Sequence, residues 1–387
     1  MSIDKAISLI NKKKTLLGVG PMSKNCVIAA SKVSNKYSFP IMLIASRRQI
    51  DSEELGGGYV NNWNTENYSN FVKSIDKKKQ IILARDHGGP WQNNFEIEKK
   101  YNLRQAIESA KKSYEVDILN NFEIIHIDTS IGINNRAVSL KDSLERFYEL
   151  FEYCNIFAKE NKKKIYFEIG TEEQSGTTNT PEQLSDTLQK IFSFCKKKRF
   201  EKPLFVVIQS GTKVAETRNI GSFESPLRIE NELAVEIQLP KMIEICKKNN
   251  FFMKEHNADY LTDHSLTLHP KLGIHAANIA PEFGVGETKA LIKILEENNL
   301  KKEMDLFLEI SFNSKKWKKW LIPKSNVSDL EKSIISGHYI FSEDKFILLK
   351  EKLKKIFIKK NINLDKYLKN RVKKLVYRYI KNFNLIR

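Results

Sequence analysis

Eight short apolar runs punctuate most of the chain, and most are separated by amphipathic stretches. They are TLLGVG (15–20), IMLIAS (41–46), QIILARDH (80–87), IIHIDTS (124–130), KIYFEIGTE (164–172), LFVVIQSG (204–211), FFMKEH (251–256) and LGIHAAN (272–278). Between them lie segments such as NLRQAIESAKKSYEVDIL and TPEQLSDTLQKIFSFCKKK, whose apolar residues recur three and four apart and which open on Asn or Thr caps. Buried strands alternating with helices imply parallel pairing, because parallel neighbours need a crossover connection. Eight such units predict an α/β fold, a (β/α)8 TIM barrel spanning 1–300, with a basic helical appendage over 301–387. A doubly wound open sheet is the competing architecture. The stretch GVGPMS after the first run lacks the full GxGxxG spacing that such a sheet often carries.

Charge needs placing before it can mean anything. The chain of 387 residues has a formal net charge of +18. Residues 345–387 hold 15 Lys/Arg against two acids, Glu351 and Asp365, so the tail alone carries +13 of it. Its apolar residues Leu353, Ile356, Ile358, Leu364, Leu368, Val372, Leu375 and Ile380 fall at helical spacing. One reading is a solvated lysine-rich face on helices packed against the barrel; the other is contact with an acidic partner, an anionic surface or nucleic acid. Nucleic-acid binding is not the expected function, since the rest of the chain is nearly neutral. Four widely spaced cysteines without a CxxC pair predict free thiols in a reducing, cytoplasmic setting. The N-terminus makes a poor signal peptide, and no apolar run approaches the roughly 18 residues a membrane span requires.

In a barrel of this kind the chemistry sits where the C-terminal strand ends converge. Those ends carry Arg48 and Gln49, Asp86 and His87, Asp128, Glu172, Gln209 and Ser210, Glu255 and His256, and His275 to Asn278. Ionisable groups are costly in buried strands unless paired or bound to something. His87 and His256 are the metal-ligand candidates, with Gln209 and Glu172 able to complete the shell through oxygen. Such a mixed nitrogen and oxygen set admits Zn²⁺, Mn²⁺, Ni²⁺ or Co²⁺. Asp86 is the candidate acid/base, or else a partner that orients His87. Asp128 is either a second carboxylate of the site or a helix cap. His126 points the same way as Asp128 but lies deeper, where a core role fits. GGGY (56–59) and SGT (210–212) would let backbone N–H groups approach an anion, which nominates Gly57, Gly58, Ser210 and Gly211. His264, His269 and His338 read as structural.

Taken in order, these motifs resemble the D-tagatose-1,6-bisphosphate aldolase accessory-subunit family, related to the class II metal-dependent ketose-bisphosphate aldolases. IMLIASRRQIDSEELGGGY is similar to that family's strand followed by Asn-Gln and Gly-Gly-Tyr. ARDHGGPWQ resembles its Asp-His-x-Gly-Pro motif, IIHIDTS its His-x-Asp strand, and EIGTEEQSG its Ile-Gly-Thr-Glu. VVIQSGT is similar to its Val-Gln-Pro-Gly strand, KEHNADYLTD to its Glu-Ala-His-Ser-x-Asp-Tyr, and WKKW with the helical end also has counterparts.

The resemblance implies metal-dependent retro-aldol chemistry on a ketose or ketose (bis)phosphate, by cleavage or, as in related metal-dependent ketose 4-epimerases, by C4 epimerisation. It assigns Asp86 and Glu172 to catalysis with Asp128, and His87, His256, Gln209 and Glu172 to a divalent metal. Gln49, Gly57, Gly58, Ser210, Gly211, His275 and Asn278 fall to substrate binding. Gln209 stands where true class II aldolases carry a histidine. HAANIAP (275–281) replaces the Lys-Val-Gly-Pro of the accessory branch, which points to a different substrate. The alternative that the resemblance carries is a non-catalytic subunit stabilising a separate aldolase, and either self-association or such a partner is expected.

Overall fold

The structure, a computed structural model, describes residues 2–133, 136, 138–170, 180–208, 212–229 and 233–386. The first half runs α1 (Ser2–Asn11), β1 (Leu16–Val19), α2 (Lys24–Tyr37), β2 (Ile41–Ser46), α3 (Thr65–Ile75), β3 (Ile81–Gly88), α4 (Asn94–Glu98), α5 (Leu103–Leu119), β4 (Ile124–Asp128) and α6 (Leu140–Glu160). Then come β5 (Tyr166–Gly170), α7 (Pro181–Lys198), β6 (Phe205–Ile208), a hairpin of β7 (Lys213–Ala215) and β8 (Arg218–Ile220), α8 (Val235–Lys248), β9 (Phe252–Glu255), α9 (Asp263–Leu272), β10 (Ala276–Ile279) and α10 (Pro281–Glu297). The C-terminal part is α11 (Lys301–Asn313), α12 (Asp329–Ser336), α13 (Asp344–Lys359) and α14 (Leu364–Asn382).

All eight apolar runs become parallel strands of one closed barrel, ordered β1-β10-β9-β6-β5-β4-β3-β2. This is the (β/α)8 TIM barrel. The strands are short and buried on both faces, so they read as continuous apolar runs rather than alternating ones. Caps set the helix starts. Asn102 and Thr180 each form a reciprocal capping box, with Gln105 and Gln183. The β7–β8 hairpin, which the apolar pattern did not signal, turns through Glu216 at φ +57°.

The basic tail divides between two cores. Leu353, Phe357, Leu364 and Leu368 join Leu291, Leu295 and Phe307 in a satellite cluster. The rest of α14 buries Val372, Val376, Tyr379 and Ile380 against the barrel's own core, and packs on α2 and α10. Its lysines line the outer face, while Ile358 stays largely exposed.

One local feature shapes the mouth. Strand side chains alternate, so neighbours such as Asp86 and His87 should face opposite sides. Between Arg85 and Gly88 the β3–β4 register shifts, and His87 takes a left-handed φ of +45°. This bulge turns both side chains into the same cavity. Gly88 and Gly89 permit it: a Cβ at Gly88 would lie 2.5 Å from the His126 carbonyl oxygen, and one at Gly89 2.0 Å from that of Asp128. Arg85, one residue earlier, points outward instead, where Asp117 of α5 holds it in a fully buried bidentate pair at 2.6 and 2.7 Å.

Candidate active site

A cavity of about 480 Å³ opens at the C-terminal ends of the strands. Arg48, Gln49, Asp86, His87, His256 and Asn278 reach it from β2, β3, β9 and β10 or the loops that follow them. The two imidazoles meet there. His87 Nε2 and His256 Nε2 are 2.8 Å apart, across the width of the barrel. Asp128 fixes the other side of the His87 ring, its Oδ2 accepting from Nδ1 at 2.7 Å. Asp128 is in turn held by Gln92 Nε2 at 2.9 Å and by Ser130 through backbone N–H at 3.0 Å and hydroxyl at 2.5 Å. Asp86 Oδ2 lies 3.8 Å from His87 Nε2, and Asn278 Nδ2 donates to Asp86 Oδ1 at 3.3 Å.

The charges are mutually arranged. Burial alone would raise Asp86, but His87 and His126 hold it well below the usual carboxylate range. Asp128 is likewise lowered, burial being outweighed by its hydrogen bond to His87 and by the charges of His87 and His126. Burial pulls His87 down, yet Asp86 and Asp128 together raise it. His256 moves the other way, pushed down to about 3 by burial and by the neighbouring His87. A neutral imidazole thus faces one that two carboxylates favour as a cation. The space between the two nitrogens suits a positive charge, whether a proton or a metal ion.

Below this level lies a second layer inside the barrel. His126 Nδ1 is 3.5 Å from Asp86 Oδ1 and 3.4 Å from Glu168 Oε1, and Lys254 Nζ reaches both oxygens of Glu168 at 3.0 and 2.7 Å. Asp86, His126 and Glu168 bring ligand atoms within 4.8 Å of one another, which makes them a possible metal cluster. Lys254 already places an ammonium against Glu168 there, with neither side chain exposed. The fit to a metal is therefore better one level higher. At His87 and His256 two ring nitrogens converge, and a carboxylate backs one of them as in a carboxylate–histidine–metal arrangement. The pair need part only by roughly half an ångström to hold an ion at the roughly 2.0–2.1 Å typical of Zn–N bonds.

The other nominated residues separate clearly. Gln49 lines the cavity, with its Oε1 accepting from the Ser46 N–H at 2.9 Å. Gly57 and Gly58 lie behind the lining. A Cβ at Gly58 would sit 2.0 Å from the Gln49 carbonyl oxygen, so this close approach is what delivers Tyr59 to the cavity. Asn278 is at the mouth, but His275 is not. It precedes β10 at the barrel's N-terminal end, where its Nδ1 accepts from the Met253 N–H at 3.0 Å. Glu172, Gln209, Ser210 and Gly211 lie outside the described residues. Of the histidines read as structural, His269 pairs with buried Glu255 and His338 is buried in the C-terminal helices.

Several lining residues were not nominated from sequence. Lys319, Trp320 and Tyr339 come from the C-terminal segment, and Lys213 from the hairpin. Trp320 Nε1 donates to the Tyr339 hydroxyl at 3.1 Å, and the Trp320 carbonyl accepts from Glu216 N–H at 2.7 Å, tying hairpin to appendage over the mouth. The available signal was WKKW, an aromatic and basic cluster far from any strand. Glu168 and Lys254 had a clearer one: a charge inside an apolar run.

Fold and mouth together define a TIM barrel with a histidine–carboxylate centre at the C-terminal strand ends. No protein-family model matches the sequence, and no curated protein does either. Solved structures share the fold. A probable tagatose 6-phosphate kinase from Sinorhizobium meliloti superposes with TM-score 0.73 at 16% identity, covering 95% of this chain and 100% of that one. A fructose-bisphosphate aldolase from Campylobacter jejuni does so with TM-score 0.55 at 11% identity, covering 98% and 93%.

Proposed function

We propose that this protein carries out metal-assisted aldol chemistry on a ketose or ketose (bis)phosphate, cleaving it or inverting it at C4. The observation that carries this reading is the convergence of His87 and His256, with Asp128 behind one ring and Asp86 beside it. The motifs that resemble the class II aldolases are the ones that supply these residues. The fold shared with an aldolase is consistent with the reading.

A divalent cation held by His87 and His256 would supply Lewis-acid polarisation of a substrate carbonyl. The remaining work falls to the chain. Asp86 is ionised and faces the cavity, so it can accept the proton of a substrate hydroxyl. As that O–H bond breaks, its electron pair forms the aldehyde carbonyl and the adjacent carbon–carbon bond opens toward the substrate's own carbonyl. Release of the aldehyde, with a proton then delivered to the carbon of the fragment left behind, gives cleavage; rotation and re-addition give the C4 epimer, with Asp86 returning the proton to the hydroxyl oxygen. Asp128 keeps His87 in one tautomer, and Asn278 orients Asp86.

The test is elemental analysis of the purified protein beside His87→Ala and His256→Ala, followed by a screen of ketoses and ketose phosphates for cleavage and C4 inversion. Near one divalent metal per chain, lost in both variants, is expected. No binding after reconstitution with Zn²⁺, Mn²⁺, Ni²⁺ or Co²⁺ overturns the proposal and favours a non-catalytic subunit.

A further inference from the structure

Three arginines are packed close to the mouth, and they differ in one respect. Arg47 reaches Asp51 at 2.8 Å, Glu96 at 2.6 Å, the Gly89 carbonyl at 2.7 Å and the Ser109 hydroxyl at 3.1 Å. Arg85 has Asp117 and two backbone carbonyls. The side chain of Arg48 has neither an ion pair nor a hydrogen bond among the described residues, although its Nε is shielded from solvent. Asp128, Tyr339 and Glu96 act on it only as charges at a distance, and burial lowers its pKa. Its side chain lines the cavity.

An Nε–H shielded from water without a partner is unfavourable, and the half-buried guanidinium's planar fork matches a carboxylate or a phosphate better than any neutral group. Arg48 follows β2, so its charge stands at a cavity-facing position beyond a strand end. We propose that Arg48 receives an oxyanion carried by the substrate, a carboxylate or a phosphate, on the His87 side of the mouth. This rests on the preceding section only in taking the cavity as the substrate site. It narrows the substrate class to anionic sugars or sugar derivatives.

The experiment titrates D-glycerate, glycerol 3-phosphate and glycerol into the full-length protein by calorimetry, as purified and again with EDTA. At least one anion is expected to bind tenfold or more tighter than glycerol. Arg48→Gln should lose that advantage by at least tenfold, while Arg48→Lys retains part of it. Arg48→Gln should also melt no lower than wild type, because it removes an unpaired charge rather than a structural bond. The preferred anion identifies the source, carboxylate or phosphate. Anion affinity unchanged in Arg48→Gln, or no preference of either anion over glycerol, overturns the proposal. Anion binding that depends on Arg48 and survives EDTA in a protein that binds no metal would sink the metal reading alone and leave this one standing.

Discussion

Lys254 and Glu168 form an ion pair at 2.7 Å in the interior of the barrel, with no exposure of either side chain. They come from β9 and β5, and His126 joins them to Asp86 beneath the mouth. Taking two charges out of water is repaid only when each has its partner. Glu168→Gln or Lys254→Met alone should therefore cost about 3–5 kcal/mol in urea unfolding, because each strands the other charge. The double substitution should recover most of that loss. Single variants each costing less than about 1 kcal/mol would show that water reaches the pair.

Asp128 acts on His87 through one hydrogen bond, and that bond decides which ring nitrogen faces the cavity. Asp128→Asn keeps the shape but can offer an N–H to Nδ1, which favours the wrong tautomer. Zn²⁺ affinity, read by competition with a chelator, should fall roughly 10–100-fold with the circular dichroism spectrum unchanged. Full affinity in the variant would mean that His87 is not oriented this way when a cation binds.

The C-terminal helix offers a contrast between its two faces. Phe383 is fully buried just beyond α14, whereas Lys374 is exposed on it. Phe383→Ala should cost about 3–5 kcal/mol through a cavity in the barrel's own core. Lys374→Glu should change stability by no more than about 0.5 kcal/mol. If both variants unfold at the wild-type urea midpoint, α14 is a detachable appendage and its packing against α2 and α10 contributes little.

The contrast also shows what a sequence can convey. Each of the eight strands announced itself because a doubly covered parallel strand has to be apolar throughout, and that leaves a contiguous run. The pairing of Asp86 with His87 was visible as residues but puzzling as a strand, since alternation would separate them. The bulge at His87 is a backbone property set by Gly88 and Gly89 meeting β4, and only tertiary contact reveals it. His275 shows the converse. Its run opens with LG, and a strand ending at HAAN puts it at the mouth; the strand starts one residue later, at Ala276, so it falls at the opposite end. Lys319, Trp320 and Tyr339 were illegible as lining residues because nothing local ties them to a strand end.

Asp259 gives the mouth a pH dependence of known sign. It follows β9, lines the cavity, and accepts the backbone N–H groups of Ala280 at 3.1 Å and Glu282 at 2.8 Å, which caps α10. Burial and the adjacent Glu282 charge push its carboxyl from 3.8 up to about 8. Facing it, the Tyr379 hydroxyl donates to Glu282 and the Arg378 guanidinium lies 3.3 Å from the same carboxylate. The unfolded chain releases the Asp259 proton above about pH 4, whereas the native state keeps it to about pH 8. Across that window the native state binds more protons, so this group's stabilisation is present at low pH and is lost as pH rises through the folded value. Asp259→Asn cannot titrate and retains an oxygen for the cap. Its urea midpoint relative to wild type should climb between about pH 4 and about pH 8 and level off above that. Parallel curves for the two proteins would mean that Asp259 is ionised throughout and that the buried pair with Glu282 is neutralised from elsewhere.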